Sequence, residues 1–415
     1  MARVLVLTLL FPPDGVSTAH IVGDLVLDMA RQGHQPTVFT TTPHYNRDIL
    51  AEAAQPLQNW WGGLLRRSTF HGVPVYHVRV PRKGRSIALR LLAWAIFHVV
   101  STLAAVKYAG QVQVIFAPSP PLTMGFHAWI IGLMKRCPFI YNVQEIYPDI
   151  AISLGALRNR ALVRLAFALE RFVYDRAAAI TVIAPRMRQR LVDKGVPVRK
   201  LEVIPNSVDF DQMTLEARDN AFARQHGLLG RFVVSYAGNL GPAQGLETVL
   251  DAAALLQTHD DLLIVFVGGG ILERALQSRI AASGLGNVRM LPHQPYALVP
   301  EIYAASDVCL VPQAAGTGSE AIPSKIYRIM ACARPVIASA DAGSDLARLI
   351  EDAGCGEVVT PTDPVALAAT IRNALEHPAQ WAAKGSEGRA YVERHYSRAA
   401  IARNYEALID RLCAT

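Results

Sequence analysis

The sequence predicts an α/β protein with two Rossmann-like domains, each built on a doubly wound parallel sheet. Two observations carry this prediction. Short apolar runs typical of buried strands alternate with helical stretches over most of the 415 residues, as in parallel sheets with crossover helices. The pattern also starts twice, at residues 3–9 and again at residues 231–240, and a chain of this length holds two or three domains.

The first half begins with a strand over residues 3–9 and a loop. A helix follows, in which Ile21, Leu25 and Met29 recur at four-residue spacing. Gly33 ends that helix, and the next strand begins directly after it. Three further segments, each read as a strand followed by a loop, are residues 112–120, 138–149 and 177–185.

The second half repeats this order after a linker at residues 203–210, which contains a Pro-Asn turn. Its predicted elements are a strand over residues 231–240, a helix from about Leu246, a strand ending at Gly268, a helix from Ile271, and strands near Val288, Asp307, Pro335 and Glu357. We therefore expect an N-terminal domain at residues 1–204, a C-terminal domain at residues 205–378, and closing helices at residues 379–415.

The net charge of +7 is unevenly distributed. No acidic residue lies between Glu52 and Glu145, a window with ten Lys and Arg residues that include Arg82, Lys83 and Arg85. Residues 91–106 are uncharged and apolar, but a bilayer span needs about 20 apolar residues, so we expect no transmembrane helix. We favour a basic surface that lies against anionic lipid over a core helix with a solvated basic loop.

Other classes of protein fit the sequence less well. Five cysteines without Cys-x-x-Cys spacing indicate a reducing compartment and no zinc site. The apolar amino terminus leads into Pro12 and Pro13, which favours a first strand over a signal peptide. No basic motif interleaved with aromatic residues indicates a nucleic-acid partner.

Residues 320–339 form the most informative segment. Ile326, Ile329 and Met330 recur at helical spacing and predict one buried helical face, which ends before Pro335.

The start of this helix carries polar groups of opposite charge. Ser324 is a favoured N-cap residue, Lys325 follows it, and the carboxylate of Glu320 lies just upstream. Free amides and a Lys at a helix start suit an anionic ligand, and a carboxylate accepts hydroxyl groups. A nucleotide sugar has both features.

The same segment resembles the carboxy-terminal signature of the family-4, retaining, GT-B-fold glycosyltransferases. In that signature a Glu, seven residues and a second Glu precede a Met-Ala-x-Gly-x-Pro-Val-Ile run. Glu320 fills the first position, Arg328 replaces the second Glu, and Ala333 replaces the Gly of the run that starts at Met330. The Ile-Pro-Ser-Lys form resembles a subgroup that adds fucose or N-acetylfucosamine-type sugars in colanic-acid and O-antigen biosynthesis.

The resemblance implies a fold and a donor site. The two domains would face each other across a cleft, and the closing helices would cross back to the first domain. Where the family carries an Arg and a Lys for the diphosphate, this chain has Asn239 and Gln244, whose neutral hydrogen bonds are weaker than charged ones. Lys325 is then the main cation for the leaving diphosphate. The other donor-binding residues implied are Gly15, Gly238, Gly268, Gly269, His293, Ser324, Ile326 and Arg328.

The resemblance also implies an acceptor site after the strand at residues 138–143. The subgroup has Gln-Asp-x-Tyr-Pro-Asp there, and this chain has Gln144, Glu145, Tyr147 and Asp149. Glu145 would take the proton of the acceptor hydroxyl, unless the leaving phosphate takes it. Gln144, Tyr147 and Asp149 would bind or orient the acceptor.

We expect neither a metal ion nor a cofactor. Asp209 and Asp211 reproduce the Asp-x-Asp metal motif of the other major glycosyltransferase fold, but they follow the linker and suit a solvated turn. No other cluster has metal-ligand spacing.

The resemblance implies a glycosyltransferase that uses a nucleoside-diphosphate sugar, with a UDP-sugar preferred. Its acceptor would be a lipid-diphosphate-linked glycan at the inner face of the cytoplasmic membrane. Two alternatives stay open at this point. One is a GT-B UDP-sugar 2-epimerase, which the basic, apolar first domain disfavours, and the other is a non-catalytic sugar-nucleotide-binding protein.

Overall fold

The computed structural model describes residues 1–44, 49–81, 87–318 and 322–414, with backbone only at residues 17, 49, 50, 87 and 88. The contacts divide the chain into two compact units. The first comprises Met1–Ile152, Leu157–Asn206 and Arg398–Thr415, and the second comprises Ser153–Ala156 and Ser207–Ser397. The change of unit at residues 206 and 207 falls within the Pro-Asn turn segment.

Among its described residues, the first unit contains nine strands and the first seven helices, apart from Ser153 at the end of α5. The strands are β1 Arg3–Leu7, β2 Gln35–Thr41, β3 Gln58–Trp60, β4 Leu65–Phe70, β5 Val73–Val78, β6 Val114–Ser119, β7 Phe139–Val143, β8 Ala179–Val182 and β9 Leu201–Val203. The helices are α1 Ser17–Arg31, α2 Ile49–Ala54, α3 Ile87–Tyr108, α4 Thr123–Lys135, α5 Asp149–Ser153, α6 Arg160–Arg176 and α7 Pro185–Asp193.

These strands form one sheet in the order β3-β4-β5-β2-β1-β6-β7-β8-β9. The predicted parallel sheet extends from β5 to β9, and the antiparallel strands β3 and β4 add an edge that the sequence did not indicate. Helix α1 buries Val22, Val26 and Met29, so the apolar face is rotated by about one position from the predicted Ile21 and Leu25.

The second unit contains six strands and eight helices among its described residues. The strands are β10 Phe232–Ala237, β11 Leu262–Val267, β12 Val288–Leu291, β13 Val308–Pro312, β14 Val336–Ser339 and β15 Gly356–Val359. The helices are α8 Ala221–Gln225, α9 Leu246–Leu255, α10 Glu273–Ala282, α11 Val299–Ala304, α12 Lys325–Ala331, α13 Asp345–Ala353, α14 Pro364–Glu376 and α15 Pro378–His395. Short 3₁₀ turns occupy Trp61–Gly63, Val198–Lys200, Pro242–Gln244 and Tyr296–Leu298.

The second sheet is entirely parallel, in the order β12-β11-β10-β13-β14-β15. This is the strand order of a nucleotide-binding Rossmann domain, in which the order reverses between the first and fourth strands. Here the reversal lies between β10 and β13, which are paired at Val234 and Val308. Ligands bind at such a reversal, beyond the carboxyl ends of the strands. The topology therefore points to the loops after β10 and β13.

The closing helices differ from the expectation for residues 379–415. Only α16 Arg398–Cys413 groups with the first unit, where Arg398 donates to Asp28 at 2.7 Å and Asn142 donates to the Tyr405 hydroxyl at 3.1 Å. Helix α15 belongs to the second unit. A Cβ at Gly385 would collide with the carbonyl oxygen of Ala333. Because glycine has no Cβ, α15 can pack closely against the backbone at Ala333.

Helix α3 corrects the expectation based on residues 91–106. The helix is 22 residues long, because Arg90 and Lys107 continue it beyond the uncharged run. Its window Leu89–Tyr108 has the length and hydropathy of a membrane span, and 28% of it is buried. The argument that this segment is too short to cross a bilayer is therefore wrong.

Candidate active site

The loops at the reversal of the second sheet are held together by contacts between backbones. Gly238, directly after β10, donates to the carbonyl of Val267 at 2.9 Å, and Leu240 donates to the carbonyl of Gly269 at 3.0 Å. Gly268 has a φ of 151°, and a side chain there would collide with the carbonyl oxygen of Gly238. Glycine is required at residue 268 because both the conformation and the space exclude a Cβ.

Lys325 projects its ammonium group into this loop. The residue as a whole is partly exposed, but its Nζ is buried and has no hydrogen-bond partner among the described residues. Nζ lies 3.6 Å from the centre of the Tyr236 ring and would be 2.6 Å from a Cβ at Gly238. Burial, with a smaller contribution from the positive charge of Arg328, lowers the pKa of Lys325 to about 7.

A buried cation without a hydrogen-bond acceptor is unfavourable, because burial removes its hydrogen bonds to water and no protein group replaces them. Its ring contact with Tyr236 offsets only part of this cost. An anion bound beside Gly238 would supply the missing acceptor oxygens. The geometry therefore favours a phosphate group at the carboxyl end of β10.

Arg328 provides a second cation on α12. Its guanidinium carbon lies 5.0 Å from the centre of the Tyr296 ring, in the 3₁₀ turn after β12. The sequence did not single out Tyr296, although one aromatic residue in a loop after a strand is a usable signal. His293, which we placed in the donor site, is exposed in the same loop.

Asn239 and Gln244 lie in the same loop as Gly238, but their environments differ. The Gln244 side-chain oxygen accepts from the Gly241 amide at 3.1 Å, so this carbonyl stabilises the turn. Asn239 is exposed, and its amide nitrogen would be 2.6 Å from a Cβ at Gly241. The absence of that Cβ leaves room for the Asn239 side chain.

The start of α12 differs from the prediction in two respects. Ser324 has helical dihedral angles and makes no capping hydrogen bond, so it is not a side-chain N-cap. The Ile326 side chain is fully buried, and its amide bonds to the carbonyl of Pro323 at 3.1 Å. These contacts make Ile326 a core residue and correct its placement among the donor-binding residues. Glu320 lies outside the described residues.

Asp341 is a residue that sequence reasoning missed. Its carboxylate accepts from the amide of Gly316 at 2.9 Å and from the amide of Gly318 at 3.1 Å. These bonds order the loop after β13, the second loop at the reversal. The signal was an acidic residue two positions after the end of strand β14.

In the first unit, Glu145 and Tyr147 follow β7. Burial raises the pKa of the Glu145 carboxyl, and a hydrogen bond from Tyr147 partly opposes that increase. A carboxyl with a raised pKa is better matched to proton transfer near neutral pH than an exposed one.

Gln144 and Asp149, by contrast, are engaged in the structure of the unit. The Gln144 amide nitrogen donates to Asn142 at 2.6 Å and to Asn206 at 3.2 Å, which uses both of its hydrogens. Asp149 is buried and accepts from Arg190 at 2.9 Å and from Lys194. These partners indicate that Gln144 and Asp149 hold the loop in place rather than contact an acceptor directly.

The carboxyl ends of β2 and β5 carry a basic cavity. The cavity has a volume of about 640 Å³ and is lined by Thr42, Pro43, Glu52, Leu57, Arg66, Arg79, Val80 and Pro81. Nε of Arg66 is buried and has no hydrogen-bond partner within the described part of the chain. Gly15 is partly exposed in the loop after β1, where Asp14 accepts from the His44 amide at 3.1 Å.

Two family descriptions match consecutive parts of the chain. Residues 18–207 match the Glycosyl transferase 4-like domain, and residues 219–390 match Glycosyl transferases group 1. The chain is a family-4 glycosyltransferase. It therefore transfers a sugar from a nucleotide sugar, which sets aside the 2-epimerase and non-catalytic alternatives.

Two relatives agree with this assignment, one of them over nearly the whole length of the glycosyltransferase. It is 25% identical to WcaI of Escherichia coli (strain K12), a glycosyl transferase assigned to colanic acid biosynthesis, over 97% of this chain and 98% of WcaI. It is 27% identical to the glycosyltransferase WbjE of Pseudomonas aeruginosa, over 62% of this chain and 64% of WbjE.

A solved structure fixes the fold of the glycosyltransferase. HepE of Anabaena, in complex with UDP-glucose, superposes with a TM-score of 0.74 at 18% identity, over 98% of this chain and 99% of HepE. The predicted GT-B fold with two Rossmann-like domains is confirmed.

The Asp-x-Asp motif of this glycosyltransferase has a local role. The Asp209 carboxylate accepts from the Asp211 amide at 2.9 Å and from the Gln212 side chain at 2.9 Å, while Asp211 is exposed. These bonds form a turn. No group of three or more His, Cys, Asp or Glu side chains placed to hold a metal ion occurs in the described part of the chain.

Proposed function

We propose that this glycosyltransferase is a retaining enzyme that transfers a sugar from a UDP-sugar to a lipid-diphosphate-linked glycan during bacterial surface polysaccharide biosynthesis. The resemblance to the subgroup with Ile-Pro-Ser-Lys supports an N-acetylfucosamine-type sugar. The full-length similarity to WcaI supports the pathway class, and the UDP-glucose complex of HepE supports the nucleotide.

The single observation that carries the donor assignment is the enclosed Lys325 ammonium. It faces the Gly238 backbone, where no Cβ blocks a close approach, and it has no acceptor among the described residues. A diphosphate would satisfy this group, and Arg328 adds a second positive charge on the same helix. With neutral residues at positions 239 and 244, Lys325 carries most of the charge compensation.

We propose the following reaction, in which the roles of Glu145 and Glu320 come from the family resemblance. The bond between the anomeric carbon and the diphosphate breaks, its electron pair stays on the phosphate oxygen, and Lys325 stabilises the growing charge. The acceptor hydroxyl oxygen bonds to the anomeric carbon on the face that the diphosphate leaves, so the configuration is retained. We assign the proton of that hydroxyl to the carboxylate of Glu145. Glu320 would accept hydroxyl groups of the donor sugar.

The acceptor assignment draws on the cavity at the ends of β2 and β5. Arg66 and Arg79 line it, and the Arg66 guanidinium has unused donor capacity. Arginine binds phosphate oxygens through paired hydrogen bonds. Because Glu52 is the one carboxylate among the lining residues and two arginines accompany it, the cavity has a net positive charge. This charge supports a diphosphate-linked acceptor.

We place the enzyme on the inner face of the cytoplasmic membrane, where nucleotide sugars and lipid-linked acceptors meet. The acid-free window between Glu52 and Glu145 supports attraction to anionic lipid. Its residues Arg82, Lys83 and Arg85 lie outside the described residues.

A nucleotide screen tests the donor. Thermal unfolding is followed with UDP, GDP and dTDP, and a ligand at 100 times its Kd stabilises the protein by about 2.7 kcal/mol. We expect UDP to raise the melting temperature most. A larger effect of GDP or dTDP would contradict the UDP assignment.

A transfer assay tests the reaction. Radiolabelled UDP-N-acetylfucosamine and UDP-glucose are incubated with bacterial lipid extract, and the linkage formed is determined by NMR. We expect label in the lipid fraction with the anomeric configuration of the donor. An inverted linkage would refute the retaining mechanism, and label found only in free sugar would refute the lipid-linked acceptor.

A further inference from the structure

Helix α3 of the first unit is apolar on two opposite faces. Leu92, Val99, Leu103 and Val106 follow each other at helical spacing and are between 40% and 61% exposed. Surface helices of soluble domains normally present polar residues at such positions. This exposed stripe therefore calls for a partner.

The opposite face of α3 packs against the rest of the first unit. Ala93, Phe97 and Ala104 are buried, and His98 contacts the Thr123 hydroxyl of α4 at 3.0 Å. Lys135 donates to the carbonyl of Val106 at 2.9 Å, near the end of α3. A helix fixed along one side in this way has only its outer stripe available to lipid.

The neighbouring helices α4 and α6 also carry exposed apolar side chains. Helix α4 packs against α3 and against α6. Together, the three helices carry more than half of the large hydrophobic side chains that are exposed in the described residues. The members on α4 and α6 are Phe126, Leu133, Met134, Leu162, Leu165 and Phe167. We call this surface, with the α3 stripe, the three-helix face. Exposed patches of such extent mark interaction sites.

Charged residues around the three-helix face are predominantly basic. Helices α3 and α4 contain no Asp or Glu. On α6, Glu170 is buried against Lys194 at 2.5 Å, which leaves Asp175 as its exposed acidic residue. The basic residues are Arg90, Lys107, Lys135, Arg136, Arg160, Arg164, Arg171 and Arg176.

This charge distribution distinguishes between possible occupants. A second copy of the chain, paired through the same face, would bring two basic rims together, because a two-fold interface is self-complementary. An anionic bilayer instead supplies phosphates for the rim and acyl chains for the apolar centre.

Aromatic residues lie at one end of the face. The rings of Trp60 and Trp61 lie 6.2 Å and 6.3 Å from the Tyr108 ring at the end of α3. Lys107 lies over Tyr108 at 5.3 Å. Trp and Tyr are enriched at membrane interfaces because each combines an apolar ring with a polar group.

We propose that the three-helix face inserts into the surface of an anionic bilayer, with α3 lying in the membrane plane rather than across it. This proposal rests on the membrane localisation in the proposed function and adds the docking element, which is apolar and not only basic. Acyl chains would contact Val99 and Leu103, and lipid phosphates would contact the rim.

The test is co-sedimentation of the full chain with vesicles of equal amounts of phosphatidylglycerol and phosphatidylcholine. The variant Val99→Glu/Leu103→Glu removes two apolar contacts, each of which contributes roughly tenfold or more to partitioning. We expect its partition coefficient to fall at least about 100-fold. The control Leu255→Glu/Val365→Glu changes two exposed apolar residues of the second unit, and we expect it to bind like the parent.

Further outcomes decide against specific parts of the proposal. Unchanged binding of Val99→Glu/Leu103→Glu, with the parent's circular dichroism, would overturn the three-helix face as the docking element. Parent protein that resists extraction from vesicles by alkaline carbonate would show that α3 spans the bilayer. A parent dimer that this variant converts to a monomer, without vesicle binding by either, would assign the face to self-association.

Transfer to a water-soluble acceptor analogue with a short lipid chain separates this proposal from the proposed function. Activity on the analogue without vesicle binding would refute the docking alone. Vesicle binding that depends on Val99 and Leu103 without any transfer would refute the function alone.

Discussion

The most informative perturbation is the removal of the Lys325 ammonium. Its pKa falls from 10.5 to about 7 on burial, and one pKa unit corresponds to about 1.4 kcal/mol, so the charged form is destabilised by on the order of 5 kcal/mol in the folded enzyme. A bound diphosphate would return much of this free energy. Losing one such donor in an enclosed site lowers turnover by on the order of 10²–10³.

This reasoning predicts the activities of three variants. We expect Lys325→Ala to lower kcat by about 10²–10³. Gln244→Ala should lower it far less, because a neutral amide stabilises a growing charge weakly. Lys325→Arg should restore activity only in part, since the guanidinium group is larger and directs its donors differently.

The stability of the free enzyme should change in the opposite direction. Lys325→Met removes a buried charge without an acceptor, so we expect the free energy of unfolding to rise by on the order of 1–3 kcal/mol. Because the pKa is lowered in the folded state, the unfolded chain binds more protons between pH of about 7 and 10.5. The parent therefore bears its full cost below pH of about 7 and loses it as the pH rises toward 10.5, so the advantage of Lys325→Met should shrink over that window.

The assay combines urea unfolding at several pH values with UDP-induced stabilisation and steady-state kinetics. Lys384→Met is a matched control, because Lys384 also lies over an aromatic ring, that of Trp381 at 4.4 Å, but pairs with Glu357 at 2.6 Å. We expect this control to keep the kinetics and the UDP response of the parent, without a gain in stability.

The reasoning fails if Lys325→Ala retains kcat within about threefold of the parent, because the diphosphate would then be held by another group. It also fails if Lys325→Met is less stable than the parent at pH 6 and still responds fully to UDP, because the lysine would then have a structural role only.

Four further outcomes are expected. Ala333→Gly should stabilise the enzyme by about 1 kcal/mol in urea unfolding, since Ala333 has a φ of 51°; an unchanged midpoint would contradict the assumed strain. Glu145→Gln should lower kcat by roughly 10²–10⁴. It should also remove the acid limb of the pH profile, on which the activity of the parent rises as the carboxyl group, whose pKa is raised by burial, ionises. A pH profile like that of the parent would indicate that the diphosphate, and not Glu145, accepts the proton. Gly268→Ala should destabilise more than Gly284→Ala, because both have positive φ but only residue 268 would meet another backbone, at Gly238; equal effects would refute the close-contact argument. Transfer should survive excess EDTA, and a strict Mg²⁺ or Mn²⁺ requirement would refute the metal-independent mechanism.

Much of the fold and some of the site could be predicted from local sequence. Strands and amphipathic helices are recognised by the spacing of apolar residues along the chain, which the sequence alone provides. The strands of the second sheet and the burial of Ile326, Ile329 and Met330 were therefore predicted correctly. The spacing of the sequence motif around Lys325 also matches the spacing of the family signature.

Contacts distant in sequence were decided only by the tertiary structure. Nothing local indicates that the Gln144 side-chain amide donates to Asn206, or that Asp149 is paired with Arg190 and Lys194. These partners lie on other elements, and folding alone brings them together.

The same distinction applies to Lys325 and to α3. The sequence by itself determined that a lysine follows Ser324 and that residues 91–106 are apolar. Only the structure encloses the Lys325 ammonium between Tyr236 and Gly238, and only the structure turns one apolar face of α3 inward and leaves the other exposed. Composition and periodicity describe the chemistry of a segment, whereas burial, and with it pKa and exposure, depends on what packs around that segment.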